Sequence, residues 1–206
     1  MQNIRNIIFD LGGVLLNLDM QQTEDAFTSM GVKNFKSLFA LGHAASFFKE
    51  YEIGVIDDDQ FITSLQNLAG IQAERGEVIA GWNAMLRDFP AERVKLLQRL
   101  KSQYRLFLFS NTNAIHLQSL QDSYSNSYAG SRLDDLFEKT WYSHHIKLRK
   151  PELKAFEYVL QDAGLQAAET LFVDDALANV EGARAVGLQG YHLEPGKTVL
   201  DIPWKF

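Results

Sequence analysis

Five short apolar runs, separated by stretches of helical period, govern what this 206-residue chain can become. They cover residues 4–9, 105–109, 139–142, 170–173 and 187–193, each of strand length. Between the later runs the periodicity changes to that of helices. Residues 91–103 align Val94, Leu97 and Leu100. Residues 151–163 open on a first-turn proline, align Phe156, Val159 and Leu160, and stop at Gly164. Residues 176–186 likewise stop at Gly187. Such alternation predicts an α/β fold, with a parallel sheet covered on both faces and ligands at the carboxyl ends of its strands.

The stretch from about 19 to 82 is different in kind. It carries helical patterns at 20–30, 35–41, 44–52, 57–69 and 73–85, with no strand among them. Asp19 followed by Gln22 suits the first as a capping pair, and Asp57 or Asp58 suits the fourth. The expected organisation is therefore a Rossmann-like core with a five-stranded parallel sheet, made of residues 1–17 and 86–206. An inserted all-helical cap of four-helix-bundle type, residues 18–85, lies over the strand ends.

Composition narrows the function classes. Hydrophobic content of 46% and charged content of 22% are ordinary for a soluble globular chain. A net charge of −6, offset by no basic block, argues against a nucleic-acid partner. Zero cysteines exclude disulfides, thiolate metal sites and cysteine nucleophiles. The opening residues lack a signal-peptide core and no run reaches membrane length, so no membrane partner is expected and the cytoplasm is the expected compartment. Nothing in the sequence fixes the oligomeric state.

The polar residues at the strand ends carry the chemistry. Asp10 closes the first run and leads into Gly12-Gly13; Ser110-Asn111 closes the second; Lys150-Pro151 comes later; Asp174-Asp175 closes the fourth. A carboxylate at the mouth of a buried strand is rigidly aimed, as a nucleophile or a metal ligand requires. Adjacent carboxylates repel unless a cation joins them, and Mg²⁺ takes hard oxygen donors together with a phosphate. A serine hydroxyl and main-chain N–H groups at a helix start form a phosphate cradle. Each feature also has an ordinary reading, as a turn cap, a helix cap or a solvated lysine.

In their order, Ile7-Ile8-Phe9-Asp10-Leu11-Gly12-Gly13-Val14-Leu15, Leu108-Phe109-Ser110-Asn111, Arg149-Lys150-Pro151 and Phe172-Val173-Asp174-Asp175 resemble the haloacid dehalogenase-like hydrolases over nearly the whole chain. The chain is most similar to the subgroup with a small helical cap, which includes bacterial sugar-1-phosphate phosphatases. The resemblance implies attack on phosphorus by Asp10 and an aspartyl-phosphate later cleaved by water. It implies Mg²⁺ held by Asp10, the Gly12 carbonyl and one of Asp174 and Asp175. It also implies phosphate bound by Leu11, Gly12, Ser110, Asn111 and Lys150, with Lys150 bracing Asp10. The substrate is then a small phosphorylated metabolite such as a sugar 1-phosphate.

One position departs from the family pattern. Many of its phosphatases carry an aspartate two residues after the nucleophile as general acid and base, and here that residue is Gly12. General acid–base help contributes about 10²–10⁴ in rate. Its loss favours substrates with better leaving groups, or a proton donor from elsewhere. It also keeps open an alternative: a protein that binds a phosphorylated ligand without turning it over. Asn113 and the aromatic cluster Phe47, Phe48 and Tyr51 are further candidates for touching substrate, against the alternatives of a helix cap and of packing between cap helices. His116 is expected at the surface, His144 and His145 in a loop, and Asn179 as a support for the carboxylate pair.

Overall fold

The computed structural model describes residues 3–44 and 46–205, and the side chains of all of these except 41–44. Its sheet has five parallel strands, β1 (Asn6–Phe9), β2 (Arg105–Ser110), β3 (Lys139–Tyr142), β4 (Thr170–Asp174) and β5 (Gln189–His192), in the order β3-β2-β1-β4-β5. β1 is central, so its end opens between those of β2 and β4. The register pairs Phe9 with Leu108 and with Val173. Continued by one residue, it sets Asp10 level with Asp174 and one residue short of Ser110.

β1 and β4 read as unbroken apolar runs because both faces of the sheet are covered. The period of two still sorts the side chains. Ile7, Phe9, Leu106, Leu108, Leu171 and Val173 enter one core, where α6 (Ala91–Leu100) and α7 (Ala114–Ser127) bring Val94, Leu97, Leu100, Leu120 and Tyr124. Ile8, Phe107, Phe109 and Phe172 enter the other, against Phe156 and Val159 of α9 (Leu153–Asp162) and Ala183 of α10 (Leu177–Ala185). A four-residue helix, α8 (Ser143–Ile146), links β3 to the Lys150 loop.

Among the described residues, the insert that follows β1 holds α1 (Met20–Ser29), α2 (Phe35–Ala44), α3 (Phe47–Glu52), α4 (Asp58–Ala69) and α5 (Arg75–Asn83), ahead of α6 and β2. They close on their own aromatic core, which includes Phe27, Phe35, Phe47, Phe48, Phe61 and Trp82 and reaches Ile115 of α7. Asp57 caps α4 through a reciprocal capping box with Gln60. Asp19 caps α1 by accepting from Gln21 N rather than from Gln22. The helix expected at 44–52 begins at Phe47, and Ala45, within that expected span, lies outside the described residues. Pro151 precedes α9 instead of opening it, since Glu152 takes the cap position. No helix among the described residues is long and apolar enough to cross a membrane.

Candidate active site

Lys150 is the centre of the polar cluster. Its side chain is 1% exposed, and its Nζ lies 2.7 Å from Asp10 Oδ1 and 2.7 Å from Asp174 Oδ2. The aliphatic stem is sheathed by Phe109 and Phe172, whose ring centroids are 5.4 and 5.3 Å from the ammonium. Burial opposes the charged form, but Asp10 and Asp174 outweigh it and hold the ammonium above its ordinary range. Asp10 is 13% exposed, and burial lifts its carboxyl to about 7 despite the neighbouring Lys150.

Asp174 and Asp175 divide the work that the sequence left undivided. Asp174 is fully buried, and its oxygens accept from Lys150 Nζ, from Ala176 N at 2.8 Å and from Asn179 Nδ2 at 3.0 and 3.1 Å. It is thereby saturated as an acceptor. Asn179 is the support expected of it. Asp175 is exposed, and its side chain accepts no hydrogen bond from another of the described residues. Burial of its inner part and the adjacent Asp174 push its carboxyl upward. Asp10, Asp174 and Asp175 each offer an oxygen within 4.8 Å of the others. Three carboxylates thus face one ammonium, and the excess negative charge sits where Asp175 has no partner. Hard oxygen donors in that arrangement fit Mg²⁺.

The Asp10–Gly13 turn is shaped for this cluster. Gly13 has φ +73°, and a methyl group on it would collide with the Asp175 carboxylate. Only glycine brings the chain that close in that conformation. Among the described residues the Gly12 N–H and carbonyl make no main-chain hydrogen bond, whereas Leu11 O accepts from Leu15 N and Leu16 N. The Leu11 N–H faces the Asp10 carboxylate. At Gly12 an added Cβ would stand 2.9 Å from Leu18 Cδ1, so Leu18 occupies space that a side chain at position 12 would need.

Ser110 is 3% exposed and its hydroxyl makes no hydrogen bond with the described residues. The Asn111 side chain accepts from Lys150 N at 3.0 Å and donates to Lys150 O at 2.9 Å, a two-point clamp on the Lys150 backbone.

Several expected contacts fall elsewhere. Asn113 is 6% exposed and caps α7, its Oδ1 accepting from His116 N. Phe47 and Phe48 are 9% and 7% exposed and stack at 4.6 Å in the cap core. Tyr51 stacks on Phe61 at 4.1 Å, donates to Asp58 and accepts from Ile115 N. Asn113 thus serves as the helix cap and the aromatics pack between cap helices, the alternatives weighed for them, while Tyr51 also borders a hollow beside Asp58 and Arg75. His116 is buried, not at the surface. It stacks on Trp82 at 5.2 Å with its Nδ1 2.9 Å from Asn83 Oδ1, and burial pulls its pKa down to about 3. His144 and His145 stand in α8; His144 Nδ1 lies 3.1 Å from Thr112 O.

Sequence reasoning missed Ser143, Glu52 and the pairing role of Arg149. Ser143 is fully buried, accepts from Thr112 N and reaches the carbonyls of Thr112 and Glu52. Arg149 Nε lies 2.6 Å from Glu52 Oε2, in contact although the N–H is poorly aligned with the oxygen. A serine opening a short helix and a lone cap glutamate give no signal in sequence. A surface hollow of about 590 Å³ runs along α7 and β3 past Gln118, Arg132, Tyr142 and His145, and none of the clustered carboxylates lines it.

Comparison with known proteins places these features in context. The sequence model of the haloacid dehalogenase-like hydrolases matches residues 4–187. D-ribitol-5-phosphate phosphatase of Bacteroides thetaiotaomicron is 28% identical over 193 residues, which span 94% of this chain and 93% of that protein. A sesquiterpene phosphatase of Aspergillus oryzae is 30% identical over 188 residues, 90% of this chain and 88% of its own. Among solved structures, a HAD family enzyme from Bacteroides thetaiotaomicron in complex with magnesium and inorganic phosphate superposes with a TM-score of 0.86 at 33% identity, covering 94% of this chain and 96% of that one.

Proposed function

The chain belongs to the haloacid dehalogenase-like hydrolases, and we propose that within that family it is a Mg²⁺-dependent phosphatase of a small sugar or polyol phosphate, acting through an aspartyl-phosphate on Asp10. The observation that carries this reading is the cluster of Asp10, Asp174 and Asp175 around the single buried ammonium of Lys150. The name of the ribitol-5-phosphate phosphatase and the magnesium–phosphate complex of the solved relative support it.

Asp10 Oδ1 is held by Lys150, and its carboxylate supplies the nucleophile. Its oxygen forms a bond to phosphorus as the ester P–O bond breaks and the leaving oxygen takes up a proton. Water then cleaves the acyl phosphate, releasing inorganic phosphate and restoring Asp10. Asp10, Asp175 and the Gly12 carbonyl would hold Mg²⁺, which when bound offsets the repulsion between carboxylate and phosphate. Lys150 opposes the burial that lifts the Asp10 carboxyl and adds positive charge to the phosphoryl pocket. Ser110, with the N–H groups of Leu11, Gly12 and Asn111, orients the phosphoryl oxygens. Asp174 holds Lys150 and the start of α10 rather than the ion.

Gly12 biases the substrate toward more acidic leaving oxygens, as in sugar 1-phosphates, because it offers no proton donor. The same residue favours a second reading, binding without turnover. Phosphate release from sugar 1-phosphates and from terminal polyol phosphates such as ribitol 5-phosphate, with Mg²⁺ and with EDTA, separates the two. Release that requires Mg²⁺ and disappears in Asp10→Asn is expected. Full turnover in Asp10→Asn would sink the mechanism, and ligand-induced thermal stabilisation without release would favour the second reading.

A further inference from the structure

Contacts from the end of α3 reach both loops that carry the phosphoryl site. The Glu52 carboxylate lies 2.6 Å from Arg149 Nε, and the two side chains are 22% and 26% exposed. Arg149 directly precedes Lys150. The Glu52 carbonyl accepts a 2.6 Å hydrogen bond from Ser143 Oγ, which also accepts from Thr112 N at 2.9 Å. Thr112 directly follows Asn111, whose side chain clamps the Lys150 backbone. The loops of Ser110 and Lys150 are therefore joined to each other through Asn111, and both are joined to one cap residue. Next to it, Gly54 (φ +65°) lies so close to the His144 carbonyl that a methyl group would collide with it. This close seating fixes where α3 meets the core.

A pair of this kind has a cost. Removing a carboxylate and a guanidinium partly from water returns little net stability, so its value lies in geometry. Arg149 unpaired would also be a second cation beside Lys150, free to compete for Asp10 or for the phosphate. Paired with Glu52, it is neutralised and fixed.

We propose that Glu52 is a positioning residue for catalysis: through Arg149 and through Ser143 it holds Lys150 and Ser110 in register with Asp10, so that docking of α3 assembles the phosphoryl site. The proposal rests on the assignment of Asp10, Lys150 and Ser110 to that site. Glu52 itself touches no reacting atom.

The test measures kcat and KM separately for p-nitrophenyl phosphate, with thermal unfolding, in Glu52→Gln, Arg149→Met, Arg149→Lys and the Glu52→Gln/Arg149→Met double variant. Misplacement of catalytic groups by about an ångström lowers rate roughly tenfold to a hundredfold. That loss is expected in kcat for both Glu52→Gln and Arg149→Met, with unfolding temperatures nearly unchanged. The double variant should be no slower than the slower single, since the pair acts as one unit. Arg149→Lys, which keeps the charge, should recover part of the loss. A kcat within about twofold of the parent in the folded single variants, or additive losses in the double, would overturn the proposal. A lower unfolding temperature with unchanged kcat would overturn it too, by marking a purely structural role. Should Glu52→Gln fail to fold, Arg149→Met decides on the same criteria. An inactive Asp10→Asn beside a fully active Glu52→Gln sinks this inference alone, whereas an active Asp10→Asn sinks the reading beneath it.

Discussion

Replacing Lys150 by methionine gives the sharpest test of how the site is held together. The ammonium is 1% exposed and lies 2.7 Å from two carboxylates, one fully buried and one 13% exposed. Methionine keeps the stem between Phe109 and Phe172 and deletes only the charge. Breaking a buried ion pair from one side typically costs about 3–5 kcal/mol, because the partner charge is left uncompensated. Asp174 retains Ala176 N and Asn179, and Asp10, whose carboxyl already sits near 7, evades its share at neutral pH by taking up a proton, so the full penalty is read well above pH 7. For a chain of this length the loss corresponds to a fall of roughly 6–20 °C in unfolding temperature. The assay is urea and thermal unfolding at pH 9 in EDTA, where Asp10 is ionised in the parent, beside Lys150→Met/Asp10→Asn. The double variant should regain a large part of the loss, since a neutral amide needs no cation. A loss under about 1 kcal/mol in Lys150→Met, or no recovery in the double variant, would show that the cluster is not organised around the lysine charge.

Other consequences can be checked with the same protein. Asp10 binds its proton more tightly folded than unfolded, and burial shifts Asp175 and Glu52 the same way. The metal-free protein should therefore lose stability as pH rises from about 4 to about 7, and Asp10→Asn should flatten that slope in denaturation at pH 5 and pH 7.5 with EDTA. Mg²⁺ should stabilise the folded protein by about 2.7 kcal/mol at a hundred times its dissociation constant, and so raise its unfolding temperature; Asp175→Asn should remove that shift in calorimetry with little change in EDTA. Gly13→Ala forces a side chain against the Asp175 carboxylate from a left-handed backbone, so Mg²⁺-dependent activity should fall at least tenfold. Gly12→Asp alone meets Leu18. Paired with Leu18→Ala it has room, and gains of up to about 10²-fold are expected on poor leaving groups, read as the ratio of alkyl to aryl phosphate turnover.

Reading the chain as a doubly covered parallel sheet with a helical insert depended on local signals, and local forces account for them. Strands buried on both faces must be continuously apolar, helices of the core must be amphipathic, and Gly164 and Gly187, with φ of +61° and +92°, end their helices where the sequence stops them. The convergence of Asp10, Ser110 and Asp174 was also legible, because residues closing adjacent parallel strands meet at one edge. Other assignments required the third dimension. Nothing in the string Asp174-Asp175 says that one carboxylate is spent on Lys150, Asn179 and a helix start while its neighbour stays unpaired, since that depends on which face of the strand end each one occupies. Nothing local says that the Asn111 side chain clamps the backbone of Lys150, thirty-nine residues later, through both its oxygen and its nitrogen. His116 looks like surface until Trp82 stacks on it. Periodicity records whether a residue is buried, whereas the partner it meets is set by the path of the rest of the chain. Sequence alone therefore determined the architecture and the order of the reactive groups, and tertiary packing decided which polar atoms remain unpaired for a metal ion and a phosphate.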